Sequence, residues 1–259
     1  MIRANTKPRP GFTLVELLVV LAIIAILIGI IVPAVQRVRG VGTKTTAVSE
    51  INQLALGAAD FRREFGFFPP DSGKIPTNAS TADAQEQQTL AVIRRMFPRW
   101  NPSGALAFPN AGSTMNGNQC LVFFLGGPGG TGWDGANPVN STPGSNKKGP
   151  YYDFPSNRLV GAPASYIDPW RTPYAYFRSV DGNYPSGSVT YAPGGAIQPF
   201  TSGGRPVNQT GVQVISAGAN QAFGPGGVWA PGTGLYTQAA AGGDDLGNFN
   251  EGLVLGAQN

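Results

Sequence analysis

Glu16 is the residue whose surroundings least suit its chemistry. Its carboxylate stands at the head of nineteen residues without a charge, Leu17 to Val35. As a helix, that run is long enough to cross a hydrocarbon core of roughly 30 Å. A charge at the edge of such a segment is costly unless it has a partner or a task. A second acidic feature, Asp244-Asp245, sits in a glycine-rich stretch near the other end of the chain. Elsewhere the side chains for covalent or acid–base chemistry are scarce. There is no histidine, which removes Ser-His-Asp and Cys-His activation, histidine metal ligands and the usual pH switch. Cys120 is alone, so no intrachain disulfide can form. With no nucleophile elbow, P-loop or zinc pattern, the expectation is that the chain is not an enzyme.

Composition sets the frame for these residues. Thirty-seven glycines and twenty-three prolines against 12% charged residues predict much loop and few long helices beyond the N-terminal one. The formal charge of +4 is concentrated at the start. Taking Arg3, Lys7 and Arg9 from eighteen basic residues leaves fifteen against fourteen acidic ones, and no phosphate-binding stripe is visible. Nucleic acid is therefore not an expected partner. Arg37, Arg39 and Lys44 follow the apolar run, so flanking charge alone does not orient it. The run is too long for an ordinary secretory signal. The polar junction Arg9-Pro-Gly-Phe12 is also wrong for one, and Pro33-Ala-Val-Gln36 is a poor small-x-small cleavage site.

The stretch Gly11-Phe-Thr-Leu-Val-Glu16-Leu-Leu18 resembles the class III signal of type IV prepilins and type II secretion pseudopilins. The resemblance implies that a membrane prepilin peptidase cuts between Gly11 and Phe12, that Phe12 becomes an N-methylated terminus, and that Glu16 is the fifth mature residue. In that family the carboxylate neutralises the Phe12 amine of a neighbouring subunit during assembly, which favours docking in one register. A plain signal-anchor helix with an incidental glutamate is the alternative. Pro33, twenty-second from Phe12, matches the usual proline position, and Gly29 is a second helix-weakening residue. Two outcomes are open there: local melting on assembly, as in related filaments, or a simple kink covered by neighbouring helices.

Spacings of three and four among Val35, Val38, Val48, Ile51, Leu54, Leu56, Ala58 and Phe61 predict one helix from about Thr13 to Phe65, weakened by Gly40, Gly42 and Gly57. Gly66-Phe-Phe-Pro-Pro70 ends it. Residues 71–89 read as a polar loop, Leu90–Phe97 as a short amphipathic helix, and Cys120–Leu125 as either a buried strand or a helix. Residues 126–150 form a long glycine- and proline-rich loop, and 71–160 has no counterpart in the family. The expected fold class is α+β and pilin-like, a long N-terminal helix packed on a small antiparallel sheet head with long loops. Its divisions are leader 1–11, transmembrane and polymerisation helix 12–35, amphipathic helix 36–66 and head 67–259.

Two further stretches carry the resemblance. Tyr166-Ile-Asp-Pro-Trp-Arg-Thr-Pro-Tyr-Ala-Tyr-Phe177 looks like the Asp-Pro-Trp-Gly-x-Pro-Tyr segment of major pseudopilins, with Arg171 in place of glycine. Val212–Asn220 reads as an alternating strand entering a glycine loop, and with Asp244-Asp245 it resembles the pseudopilin region that binds calcium. Asn220, Asp244, Asp245 and loop carbonyls would then supply oxygens to a hard cation that needs six to eight of them. Asn220 stands where an aspartate is usual, which weakens that set, and a polar loop without metal is the alternative. The partners implied are further copies and other pilin-like subunits, the peptidase, an inner-membrane assembly platform and lipid. The resemblance places the chain in the inner membrane as a single-pass protein, its head in the periplasm or on the cell surface. A competing reading makes the head a membrane-anchored glycan- or cargo-binding module, for which Trp100, Trp133 and Trp229 should share an open face.

Overall fold

The computed structural model describes residues 13–144, 146–230, 241–250 and 254–256. The chain divides into two compact units, Met1–Thr43 and Lys44–Asn259. A 52-residue helix, α1 (Leu14–Phe65), supplies the structure of the first unit and the opening element of the second. Gly29, Pro33, Gly40 and Gly42 all lie within its helical backbone.

In the second unit α1 buries Ala47, Ile51, Leu54, Ala58 and Phe61, each at most 1% exposed, at the spacing of one helical face. That face meets Cys120, Leu121, Phe124 and Leu125 in one apolar cluster. Gly57 weakens the helix by composition and has a packing reason to be there: a methyl group on it would stand 2.8 Å from the Tyr151 carbonyl oxygen. Two further helices frame the core. Helix α2 (Ala84–Met96) starts six residues earlier than the sequence pattern indicates, inside the stretch expected to be loop. Its start is a capping box that polar composition disguised: Asp83 Oδ1 accepts from Glu86 N at 2.9 Å, and Glu86 Oε2 accepts from Asp83 N at 3.1 Å. Helix α3 (Gly117–Gly126) settles the open choice at Cys120–Leu125 in favour of helix. It too begins with a capping box, between Asn116 and Gln119.

The strands form two main sheets. Strands β1 (Ala175–Arg178), β5 (Val212–Ser216) and β7 (Leu246–Gly247) make an antiparallel sheet with β5 central, Ile215 pairing with both Ala175 and Gly247. Strands β2 (Val189–Tyr191), β3 (Gly195–Ser202), β4 (Arg205–Pro206) and β6 (Gly226–Val228) make the other. In that sheet β2 and β4 run antiparallel to β3, whereas β6 runs parallel to it. All five β5 residues are buried, so its alternation does not mark a wet face. Gln213 within it accepts from Phe200 N at 2.8 Å and donates to the Phe200 and Val207 carbonyls, each at 2.9 Å. Those bonds satisfy an amide that is fully buried.

Polar clamps fix the stretch 158–178 against the helices. Asn118, fully buried on α3, donates to the Tyr166 and Tyr174 carbonyls at 3.0 and 2.7 Å and accepts from Tyr166 N at 2.7 Å. Glu50 on α1 takes a two-pronged bond from Arg158 at 3.0 and 2.8 Å, and the Tyr174 hydroxyl donates to it at 2.6 Å. The Asp-Pro-Trp segment is a tight turn organised by Asp168. Its Oδ1 accepts from Trp170 N and Thr172 N, both at 2.9 Å, and its Oδ2 accepts from the Ser216 hydroxyl at 2.6 Å. Burial pushes the Asp168 carboxyl above its usual range, and those bonds pull the other way.

Arg171 in this turn has φ +76°, the left-handed region that favours glycine. Its side chain is exposed. A side chain in that region costs roughly 1–2 kcal/mol, partly offset because glycine loses more freedom on folding. Arg171→Gly is therefore expected to stabilise the head by about 0.5–1 kcal/mol. Thermal unfolding of the full chain in detergent checks this, and a lowered midpoint would show that the turn is not strained.

Candidate functional site

Gly11 and Phe12 lie outside the described residues, so the structural account of the N-terminal site begins at Thr13. Glu16 Oε2 accepts from Thr13 N and from the Thr13 hydroxyl, both at 2.9 Å, while Glu16 N donates to Thr13 Oγ1 at 3.2 Å. This reciprocal pair is a capping box, and it satisfies backbone donors that the first turn of α1 would leave open. The spacing Thr13-x-x-Glu16 before an apolar run is a readable signal for it. In the single chain, then, the Glu16 carboxylate already has a local use.

Beyond the cap, every large apolar side chain from Leu14 to Val32 is at least 45% exposed. Among the described residues this is the one helix long and apolar enough to cross a membrane. Burying each such side chain is worth about 1.5–3 kcal/mol. Gly29 sits on this helix with open space where a side chain would go, and the backbone stays helical through Pro33. In the single chain this segment is therefore not melted.

The second candidate site is the carboxylate pair ahead of β7. Asp245 is fully buried and Asp244 half-buried. Asp245 Oδ2 accepts from Gly224 N at 3.0 Å, and Asp244 Oδ2 accepts from Asn220 N at 2.9 Å. Each carboxylate keeps one buried oxygen, Oδ1, with no hydrogen-bond partner among the described residues. Leaving an acceptor buried and unmet costs about 1–3 kcal/mol, more if it is charged. In the protein alone, burial pushes the Asp245 carboxyl up to about 8, held back by the Gly224 bond and reinforced by the neighbouring Asp244 charge. Gly218, at φ +68°, lets the loop close over Asp244: a side chain there would meet the Asp244 carboxylate at 2.7 Å.

Two buried oxygens with no hydrogen-bond partner among the described residues, one on each carboxyl group, suit a hard cation such as calcium, which favours ionisation of both groups. Asn220 joins the pair differently from expectation. Its link to Asp244 is through the backbone N–H, and its exposed side-chain Oδ1 accepts from Ala222 N at 2.8 Å, keeping one lone pair to spare. No group of three or more acidic, cysteine or histidine side chains capable of holding a metal occurs among the described residues. Backbone carbonyls or water would have to complete any coordination shell.

The tryptophans do not form an open sugar-stacking face. Trp133 is fully buried, its Nε1 donating to the Phe124 carbonyl at 2.9 Å and its ring stacked 5.9 Å from Phe124. Trp229 is 4% exposed and donates to the Leu255 carbonyl at 3.1 Å. Trp100 is half-buried, edge-on to Phe108. These indoles fill core, as does the half-buried Trp170 packed against the larger cluster.

Comparison with known proteins bears on the N-terminal site. Residues 7–32 match the prokaryotic N-terminal methylation motif, the prepilin-type signal of type IV pilins and pseudopilins. The match spans Gly11, Phe12, Glu16 and Gly29 and stops one residue short of Pro33. No curated protein and no solved structure matches the chain. The motif, the membrane-length apolar helix and the α+β head together support a membrane-anchored, pilin-like subunit.

Proposed function

We propose that this chain, which carries a prepilin-type methylation signal, is a structural subunit of a type II secretion pseudopilus or type IV pilus. The observation that carries the reading is one conjunction. The signal at 7–32 places Glu16 at the rim of a membrane-length helix whose apolar side chains are exposed in the single chain. A prepilin peptidase removes residues 1–11, and Phe12 becomes the methylated terminus. The inner membrane stores the helix until an assembly platform transfers it into the filament, where helices of neighbouring subunits replace lipid around it. Pairing of Glu16 with the Phe12 amine of an adjacent subunit sets the register. Gly29 and Pro33 form the segment able to loosen on that transfer, since proline there lacks one helical hydrogen bond. The head then lies in the periplasm or on the cell surface and performs no catalysis. Asp244 and Asp245, with the loop at Asn220, hold calcium, which supplies the positive charge that the two buried oxygens lack.

Expression with and without an active prepilin peptidase, followed by mass spectrometry of the N-terminus, tests the reading. The expected product begins at methylated Phe12. Retention of residues 1–11 beside an active peptidase would leave a signal-anchored head and remove the filament function.

A further inference from the structure

Three arginines line one cleft of the second unit: Arg62 in the last turn of α1, Arg95 in the last turn of α2, and Arg178 at the end of β1. The cleft has a volume of about 390 Å³. Arg62 lies 4.7 Å over the Phe68 ring and donates to the Thr210 carbonyl at 2.7 Å. Arg95 lies 4.6 Å over the Phe67 ring and makes no hydrogen bond or ion pair among the described residues. Arg178 is ion-paired through Nε with Asp71 Oδ1 at 3.6 Å, and that buried Nε has no hydrogen-bond partner among the described residues. Asp181 is the one carboxylate lining the cleft.

Stacking on an aromatic face holds a guanidinium in place while leaving its planar edge free. That edge matches oxyanions, donating two parallel hydrogen bonds to a carboxylate or phosphate. Compensation of helix-end dipoles accounts for Arg62 and Arg95 taken singly. It does not account for a third arginine, from a strand, on the same cleft. We propose that this cleft binds a small polyanion bearing two oxyanion groups, a diphosphate or a polycarboxylate. Arg62 and Arg95 would grip it from two helix ends and Arg178 from the sheet, while Asp181 opposes it.

Calorimetry on the full chain in uncharged detergent at low salt, with inorganic pyrophosphate and with citrate as probes, tests the proposal. The expected result is saturable one-to-one binding that weakens as salt screens the charges. Arg95→Gln and Arg62→Gln should each weaken it roughly tenfold, the usual worth of a charge-assisted bond. Asp181→Asn should tighten it by roughly two- to fivefold, and asparagine tolerates the φ of +50° at that turn. Because a misfolded variant loses binding and does not gain it, the Asp181→Asn arm stands apart from folding defects. Binding of pyrophosphate alone assigns phosphate chemistry, and binding of both probes assigns oxyanions generally. The proposal is overturned if neither probe binds by about 10 mM, a level that would reveal even millimolar affinity. It is equally overturned if the arginine variants bind as the parent does, or if Asp181→Asn fails to strengthen binding.

Discussion

Glu16→Ala is expected to abolish assembly while leaving the head folded and the leader still removable. The carboxylate lies at the mouth of an apolar helix, where the α-amine freed at Phe12 would be the opposing charge. Inside a bundle of such helices either charge alone is strongly disfavoured. Removing one partner of a buried pair costs about 3–5 kcal/mol, which at about 1.4 kcal/mol per tenfold amounts to roughly two to three and a half orders of magnitude in the docking equilibrium. The local cap complicates the interpretation usefully. Glu16 also holds Thr13 N at 2.9 Å, but a lost cap costs only about 1 kcal/mol, too little to stop assembly. Glu16→Gln separates the two roles, because its amide oxygen can still accept from Thr13 N yet carries no charge. The measure is the fraction of chain recovered in sheared filaments. Assembly by Glu16→Gln at the parent level would reduce Glu16 to a helix cap and end the charge-pairing account.

Calcium is expected to raise the melting temperature of the head, and chelation to lower it. A site that binds only the folded state adds about 2.7 kcal/mol at a hundredfold excess over its Kd. For a head of this size that corresponds to a shift of roughly 5–10 °C. The Oδ1 atoms of Asp244 and Asp245, without hydrogen-bond partners among the described residues, are the structural basis. Asp245→Asn is the informative variant, since its amide oxygen can retain the Gly224 N–H bond while the buried charge disappears. In chelator it should melt close to the parent, because burial already favours the neutral form of Asp245 there. In calcium it should show little of the parent's gain. A parent that melts identically with calcium and with chelator would exclude the cation and leave the pair as a buried acid–acid contact.

The N-terminal site was legible because its physics is local and one-dimensional. An uncharged run, a carboxylate at its edge and a glycine–phenylalanine junction are adjacent in the chain, so length and order carry the whole signal. The helix from Thr13 followed from the same pattern. Its continuation to Phe65 was legible from a pattern that includes Ile51, Leu54, Ala58 and Phe61, which α1 buries, although Leu56 of the same pattern is exposed and Ala47, outside it, is buried. The start of α2 was missed for a comparably local reason. Asp83 and Glu86 sit in a glutamine-rich run whose polarity suggests loop, while their spacing of three residues forms the cap. Helix α3 could not be told from a strand, because Cys120–Leu125 is apolar on every side and buried almost throughout.

Sequence alone determined that this chain has a membrane-length N-terminal helix with one carboxylate at its mouth, and that the helix continues into a glycine-rich α+β head. Those features depend on neighbours in the chain. Only the tertiary structure decided which distant groups meet. It set Glu50 against Arg158, more than a hundred residues away, and Asn118 between Tyr166 and Tyr174. It buried Trp133 and Trp229 and so withdrew them from any open face. It left one oxygen on each of Asp244 and Asp245 without a hydrogen-bond partner among the described residues, and brought Arg62, Arg95 and Arg178 to one cleft. Such contacts depend on how loops close and sheets register, and residue order carries no record of either.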